Sequence, residues 1–211
     1  MKNILCFGDS NTYGVDIVKG GRLARQLRYT GILQSLLGEE YFVIEEGFNG
    51  RTTVFNDPVG DYRSGVAFIE MILQTHIPLD LVVIMLGTND TKAHYSASAA
   101  TIAKGMRNVC RKILRFDYAP YSAPKILIVS PIHIGYDVEN GPFSDFDLAS
   151  YDKSLHLAEE YIKVSSELNL DFFDAASVAE ASELDQIHLD EGGHRKLAEG
   201  LALKIRQILI S

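Results

Sequence analysis

Short apolar runs at residues 3–8, 41–46, 81–86, 125–131 and 171–173 alternate with longer segments in which apolar side chains return every three or four positions. Runs of this length, apolar throughout rather than at every second position, predict strands covered on both faces. Between them, Tyr29, Ile32, Leu33 and Leu36 share one helical face, as do Ile102, Met106, Val109 and Ile113, and again Leu197, Leu201, Ile205 and Ile208. This alternation predicts an α/β fold, a parallel sheet flanked by helices with right-handed crossovers. Ligands of such sheets bind beyond the carboxyl ends of the strands, where the strand order reverses. Two stretches rich in Gly, Pro and Asp, 54–65 and 134–147, predict long loops.

Composition narrows the field. A chain of 211 residues, 46% of them hydrophobic, suits one domain spanning 1–211. The net charge of -8 argues against a nucleic-acid surface. Residues 1–7 hold one lysine and an apolar stretch too short for the hydrophobic region of a signal peptide. No run approaches the roughly 18 apolar residues of a membrane span, so a cytoplasmic protein without membrane contact is expected. Cys6 and Cys110 lie in apolar patterns with no CxxC pair or Cys/His cluster. They read as small core residues, and neither disulfide, metal nor cofactor is expected.

The candidate chemistry sits where the apolar runs end. Gly8-Asp9-Ser10 follows the first run, Gly47-Phe48-Asn49-Gly50-Arg51 the second, and Gly87-Thr88-Asn89-Asp90 the third, while Asp185-Gln186-Ile187-His188 lies near the far end of the chain. Ser10, His188 and Asp185 supply a hydroxyl, an imidazole and a carboxylate, the parts of an activated serine nucleophile. The backbone N–H groups of Ser10 and Gly50 and the amide of Asn89 are candidate donors to an oxyanion. Each residue alone has an ordinary reading: Ser10 as a helix N-cap, Gly50 as a turn, Asn89 as a cap, Asp185 and His188 as loop residues. Asp9 and Asp90 also fall at this edge and read as partners of loop amides or a helix cap, and Asn11 as a support of the nucleophile turn. His133 and His194 are alternative bases without an Asp at the same spacing, and His76, His94 and His156 read as surface residues. No G-x-S-x-G, Walker A, G-x-G-x-x-G or H-E-x-x-H pattern occurs.

Together and in this order, the four blocks resemble the SGNH hydrolases, also called GDSL esterases and lipases, whose marker residues match Ser10, Gly50, Asn89 and His188. The resemblance is nearest to the bacterial arylesterase and acyltransferase branch, through residues 78–92, 123–131 and 172–175. It implies a three-layer α/β/α sandwich with a five-stranded sheet in the flavodoxin-like order 2-1-3-4-5. It also implies a metal-independent serine esterase acting on short acyl esters through an acyl-enzyme, and a homo-oligomer. Acyl transfer to an alcohol or peroxide and deacetylation of a carbohydrate are the alternative activities, and a non-catalytic binding module the alternative class. Phe55, Tyr62, Tyr136, Phe143 and Phe146, in the two long loops, are candidates to wall a small pocket or a subunit contact.

Overall fold

The structure is a computed structural model that describes residues 1–210; Ser211, the last residue of the expected domain 1–211, lies outside the described residues. Five strands form one parallel sheet: β1 (Lys2–Gly8), β2 (Tyr41–Gly47), β3 (Leu81–Met85), β4 (Lys125–Ser130) and β5 (Asp171–Asp174). Their order is β2-β1-β3-β4-β5, so the chain reverses direction across the sheet between β1 and β3. Six helices accompany them: α1 (Ser10–Tyr13), α2 (Tyr29–Leu37), α3 (Gly65–His76), α4 (Ala99–Arg115), α5 (Leu148–Leu168) and α6 (Glu191–Ile210). The result is the three-layer α/β/α sandwich.

The pleat explains why Ile4–Phe7 of β1, Leu81–Met85 of β3 and Ile126–Val129 of β4 lack polar positions, whereas the edge strands β2 and β5 carry Glu45, Glu46, Asp171 and Asp174. Ile4, Cys6, Leu81, Val83, Met85, Leu127 and Val129 pack with α2 and α6 on one face. Their neighbours Leu5, Phe7, Val82, Ile84, Ile126 and Ile128 pack with α3, α4 and α5 on the other. Alternate side chains therefore meet different cores, and both must be apolar. The α4 stripe Ile102, Met106, Val109 and Ile113 and the α6 stripe Leu197, Leu201, Ile205 and Ile208 are buried as their spacing predicts. In α2 the stripe instead runs from Leu33 to Leu37, leaving Leu36 38% exposed, because α6 packs along that side of the helix.

The 134–147 loop is packed against the rest of the chain. Residues 134–147 include a 3-10 turn, Val138–Asn140, and Ile134, Val138 and Phe146 pack with Ile187 in a separate apolar cluster. Asp147 ends this segment by capping α5: its carboxylate accepts the Ser150 amide at 2.8 Å while Ser150 Oγ accepts the Asp147 amide at 3.3 Å. The 54–65 segment ends where Gly65 opens α3. Among the described residues, no helix is long and apolar enough to cross a membrane.

Candidate active site

At the carboxyl edge of β1 the chain turns sharply into α1. A side chain at Gly8 would place its Cβ 2.0 Å from Thr12 Oγ1, so only glycine lets α1 fold back this closely on the strand that feeds it. Asp9 caps the helix, accepting the Asn11 amide at 3.0 Å, and this sets Ser10 at the first helical position, where it lines the cavity described below. Burial pushes the Asp9 carboxyl up to about 6, against the opposing pull of the Asn11 amide and the His188 and Arg51 charges. Asp9 Oδ2 has no hydrogen-bond partner among the described residues.

The turn before α6 brings the other two groups to Ser10. His188 Nε2 lies 2.8 Å from Ser10 Oγ, and His188 Nδ1 lies 2.6 Å from Asp185 Oδ2. Asp185 Oδ1 accepts the Ile187 and His188 amides at 3.0 and 2.9 Å, so one carboxylate fixes both the turn and the ring. Burial works against the Asp185 charge, but the His188 ring and these two amides outweigh it and hold the carboxyl below its ordinary range. With Asp185 ionised, the ring proton sits on Nδ1 and Nε2 is free to accept from the serine. Asn11 supports a different turn from the one its position suggests. Its amide donates to the Ile187 carbonyl at 3.3 Å and its oxygen accepts the Leu189 amide at 2.9 Å, bracketing His188.

Gly50 and Asn89 arrive from β2 and β3. Gly50 has a left-handed backbone (φ 74°), and Asn89 Nδ2 donates one hydrogen to the Arg51 carbonyl at 3.1 Å, leaving the other for a ligand. Asn89 therefore ties two loops rather than capping a helix. Among the described residues, the Ser10 and Gly50 amides donate to no protein acceptor. Asp90 is not a helix cap either. It accepts the Thr53 amide at 2.9 and 3.0 Å and the Thr53 hydroxyl at 2.5 Å, knotting the loop after β3 to the one after β2. Burial raises the Asp90 carboxyl to about 7, the Thr53 bonds acting in the opposite direction. Arg51 lies beneath, its guanidinium 4.2 Å above the Phe7 ring and donating to the Gly8 carbonyl at 2.8 Å.

These groups open on a cavity of about 250 Å³ lined by Ser10, Val15, Asn49, Gly50, Asn89, Lys92, Phe143, Asp145, Phe146, Ile187 and His188. Of the five candidate aromatics, Phe143 and Phe146 line it, and the Phe143 ring meets the His188 ring edge-on at 5.5 Å. The other three pack elsewhere. Phe55 stacks on Tyr95 at 4.9 Å, Tyr62 lies against Phe68 and Tyr136 against Tyr151. Lys92 and Asp145 escaped the sequence reading. Lys92 follows Asn89 by three residues, one turn of a 3-10 helix, the one cue in the sequence that it faces the same way.

The remaining histidines have other work. His194 Nδ1 accepts the Tyr29 amide at 3.3 Å, at the first residue of α2, and burial lowers its pKa to about 4. It is a neutral cap and not a base beside Ser10. His76 is half-buried and lies 2.8 Å from Glu46, whereas His94 and His156 are exposed. Cys6 is buried, and burial pushes its thiol up to about 12, so it stays protonated and inert.

The sequence profile of the GDSL-like Lipase/Acylhydrolase family matches residues 6–196. Among solved structures, a carbohydrate acetylesterase family member from Sinorhizobium meliloti is similar over 100% of both chains, with 37% identity and a TM-score of 0.94. The M. smegmatis aryl esterase is 39% identical over 98% of this chain and 99% of its own, with a TM-score of 0.91. A putative arylesterase from Agrobacterium tumefaciens is 38% identical over 99% of this chain and 100% of its own, with a TM-score of 0.90. Among curated proteins, none matches. The profile match across most of the chain and the near-complete likeness to these esterases place it in the GDSL-like lipase/acylhydrolase family, the SGNH hydrolases, as a carboxylic ester hydrolase.

Proposed function

We propose that this chain hydrolyses small carboxylic esters, acetyl esters first, with Ser10 as nucleophile, His188 as general base and then acid, and Asp185 as the group that orients and charge-balances the ring. The observation that carries this reading is the unbroken line from Asp185 through His188 to Ser10, with both contacts at hydrogen-bond length and Ser10 at the cavity floor. Ser10 Oγ attacks the ester carbon as Nε2 takes its proton, and Asp185 stabilises the imidazolium. The negative oxygen of the tetrahedral intermediate is received by the Ser10 and Gly50 N–H groups and the spare hydrogen of Asn89. Collapse breaks the bond to the alcohol oxygen, which leaves with the proton from Nε2. Water then repeats the sequence in reverse to free the acid and restore the serine.

The small cavity supports a short acyl group, and the structural relatives point to two alcohol classes, aryl and carbohydrate. Acyl transfer shares every step up to the acyl-enzyme and differs only in which acceptor enters. The reading extends to one catalytic domain over 1–211, to a cytoplasmic protein, as expected from the sequence pattern, and, from the branch the chain resembles, to a homo-oligomer. The test is p-nitrophenyl acetate hydrolysis by the protein and by Ser10→Ala, with a chelator present. Turnover that falls at least about 10⁴-fold in the variant is expected; equal activity in the two proteins overturns the assignment of Ser10.

A further inference from the structure

Two charged side chains, Lys92 and Asp145, line the cavity without a task in the proposed reaction. Lys92 lies between the two long loops, its side chain only 12% exposed. Its Nζ is 3.5 Å from Asp57 Oδ2 in the 54–65 segment and 3.3 Å from Asp145 Oδ2 in the 134–147 segment, and it lies 5.8 Å from the centre of the Phe146 ring. The Asp57 side chain is 3% exposed. Burial works against its charge, yet the Val59 amide, the Tyr95 side chain and then the charges of Lys92 and His94 hold the carboxyl below its ordinary range. The adjoining Ala93 amide donates to the Asp145 carbonyl at 2.9 Å, so backbone and side chain fasten the same point of the 134–147 segment. Two residues before Asp145 is Phe143, whose ring edge lies against His188.

We infer that Lys92 is a positioning residue that clamps the 54–65 and 134–147 loops across the mouth of the site, seating Phe143 on His188 and so setting the acyl-length limit. The inference rests on the esterase reading for its consequence in activity, but not for its consequence in structure. Its ammonium is shared between two carboxylates, which explains how a cation is retained beside a site that binds a neutral ester. Phe143 lines the cavity from this loop while remaining 40% exposed. Removing the cation leaves Asp57 buried without its counter-charge, a much less favourable state than a broken pair in open solvent.

The experiment compares wild type with Lys92→Met, Lys92→Arg, Asp145→Asn and Phe143→Ala. It reads kcat and KM for p-nitrophenyl acetate, butyrate and hexanoate, together with amide hydrogen exchange across 134–147. Lys92→Met is expected to raise the hexanoate-to-acetate ratio of kcat/KM about tenfold, the lower end of what a pocket gains from added methylene groups. It also speeds exchange in the loop, Phe143→Ala reproduces the ratio, and Lys92→Arg restores both readings. Should Lys92→Met fail to fold, Asp145→Asn, whose side chain is 45% exposed, carries the test with the same direction of change. A variant with wild-type exchange, or with an even loss on all three esters, overturns the clamp. Wild type inactive on every ester sinks the esterase reading alone, since the exchange comparison still decides whether Lys92 holds the loops.

Discussion

Asn89 and Asp9 sit on neighbouring turns and serve the site through opposite properties. Asn89 keeps one amide hydrogen unspent, which is useful only when an oxygen becomes negative. Asn89→Ala should therefore lower kcat about 10²- to 10³-fold, roughly 3 to 4 kcal/mol in the barrier, with KM for p-nitrophenyl acetate changing much less. Asp9 is held against its own ionisation. Its carboxyl ordinarily loses a proton near 3.8 and here does so at about 6, so between those values the folded chain binds a proton that the unfolded chain has released. The associated stability is fully present below the lower value and is lost as the pH rises through the upper one. Asp9→Asn keeps an oxygen for the Asn11 amide and removes the titration. The difference in Tm between wild type and this variant should move against wild type as the pH is raised from about 4 to about 6, measured by thermal scans across that range.

At the level of elements, the inner strands β1, β3 and β4 were legible because both faces of each are covered, which forces an uninterrupted apolar run. The two helices whose stripes stand out, α4 and α6, lie under single, well-defined cores. The sequence reading named no stripe for α3 or α5, for different reasons. Phe68 and Met71 continue the apolar character of α3 round to its outer side, blurring its period, and Met71 is 61% exposed. In α5 the buried face includes Ser150, Ser154 and Ser165, so the pattern fades where serine hydroxyls take up backbone groups such as the Thr91 carbonyl. His194 shows a related limit: nothing in a linear pattern says that a histidine in α6 will accept the first amide of α2. That contact gives a prediction of its own. Protonation of Nδ1 would end the bond to Tyr29, and the His194 pKa is depressed from 6.5 to about 4. The stability it contributes is present above 6.5 and lost as the pH falls through about 4, the reverse of Asp9. His194→Gln, which retains an acceptor but cannot titrate, should lose less Tm than wild type between pH 6.5 and 4.

For the molecule as a whole, the marker residues were readable because they stand where strands end, and the topology gathers those ends at one edge. The cavity walls were not readable in the same way. Phe143 and Phe146 reach the site while Phe55, Tyr62 and Tyr136 do not, and only the path of the folded loops separates them. A space of about 250 Å³ closed by those two rings predicts that kcat/KM falls as the acyl chain of a p-nitrophenyl ester lengthens past butyrate. A profile rising to octanoate would contradict it.

Ser10 and His188 are separated by 178 residues in sequence, and Asn11 reaches across the same span to hold the backbone on either side of His188. Ser10 belongs to the turn that follows β1, His188 to the turn that precedes α6. The strands β2, β3, β4 and β5 all lie between them in the sequence. On the proposed reading, a chain in which these two turns have not met lacks the base for its serine and is expected to be inactive. Turnover, on that reading, is a built-in readout of a contact between residues 178 positions apart.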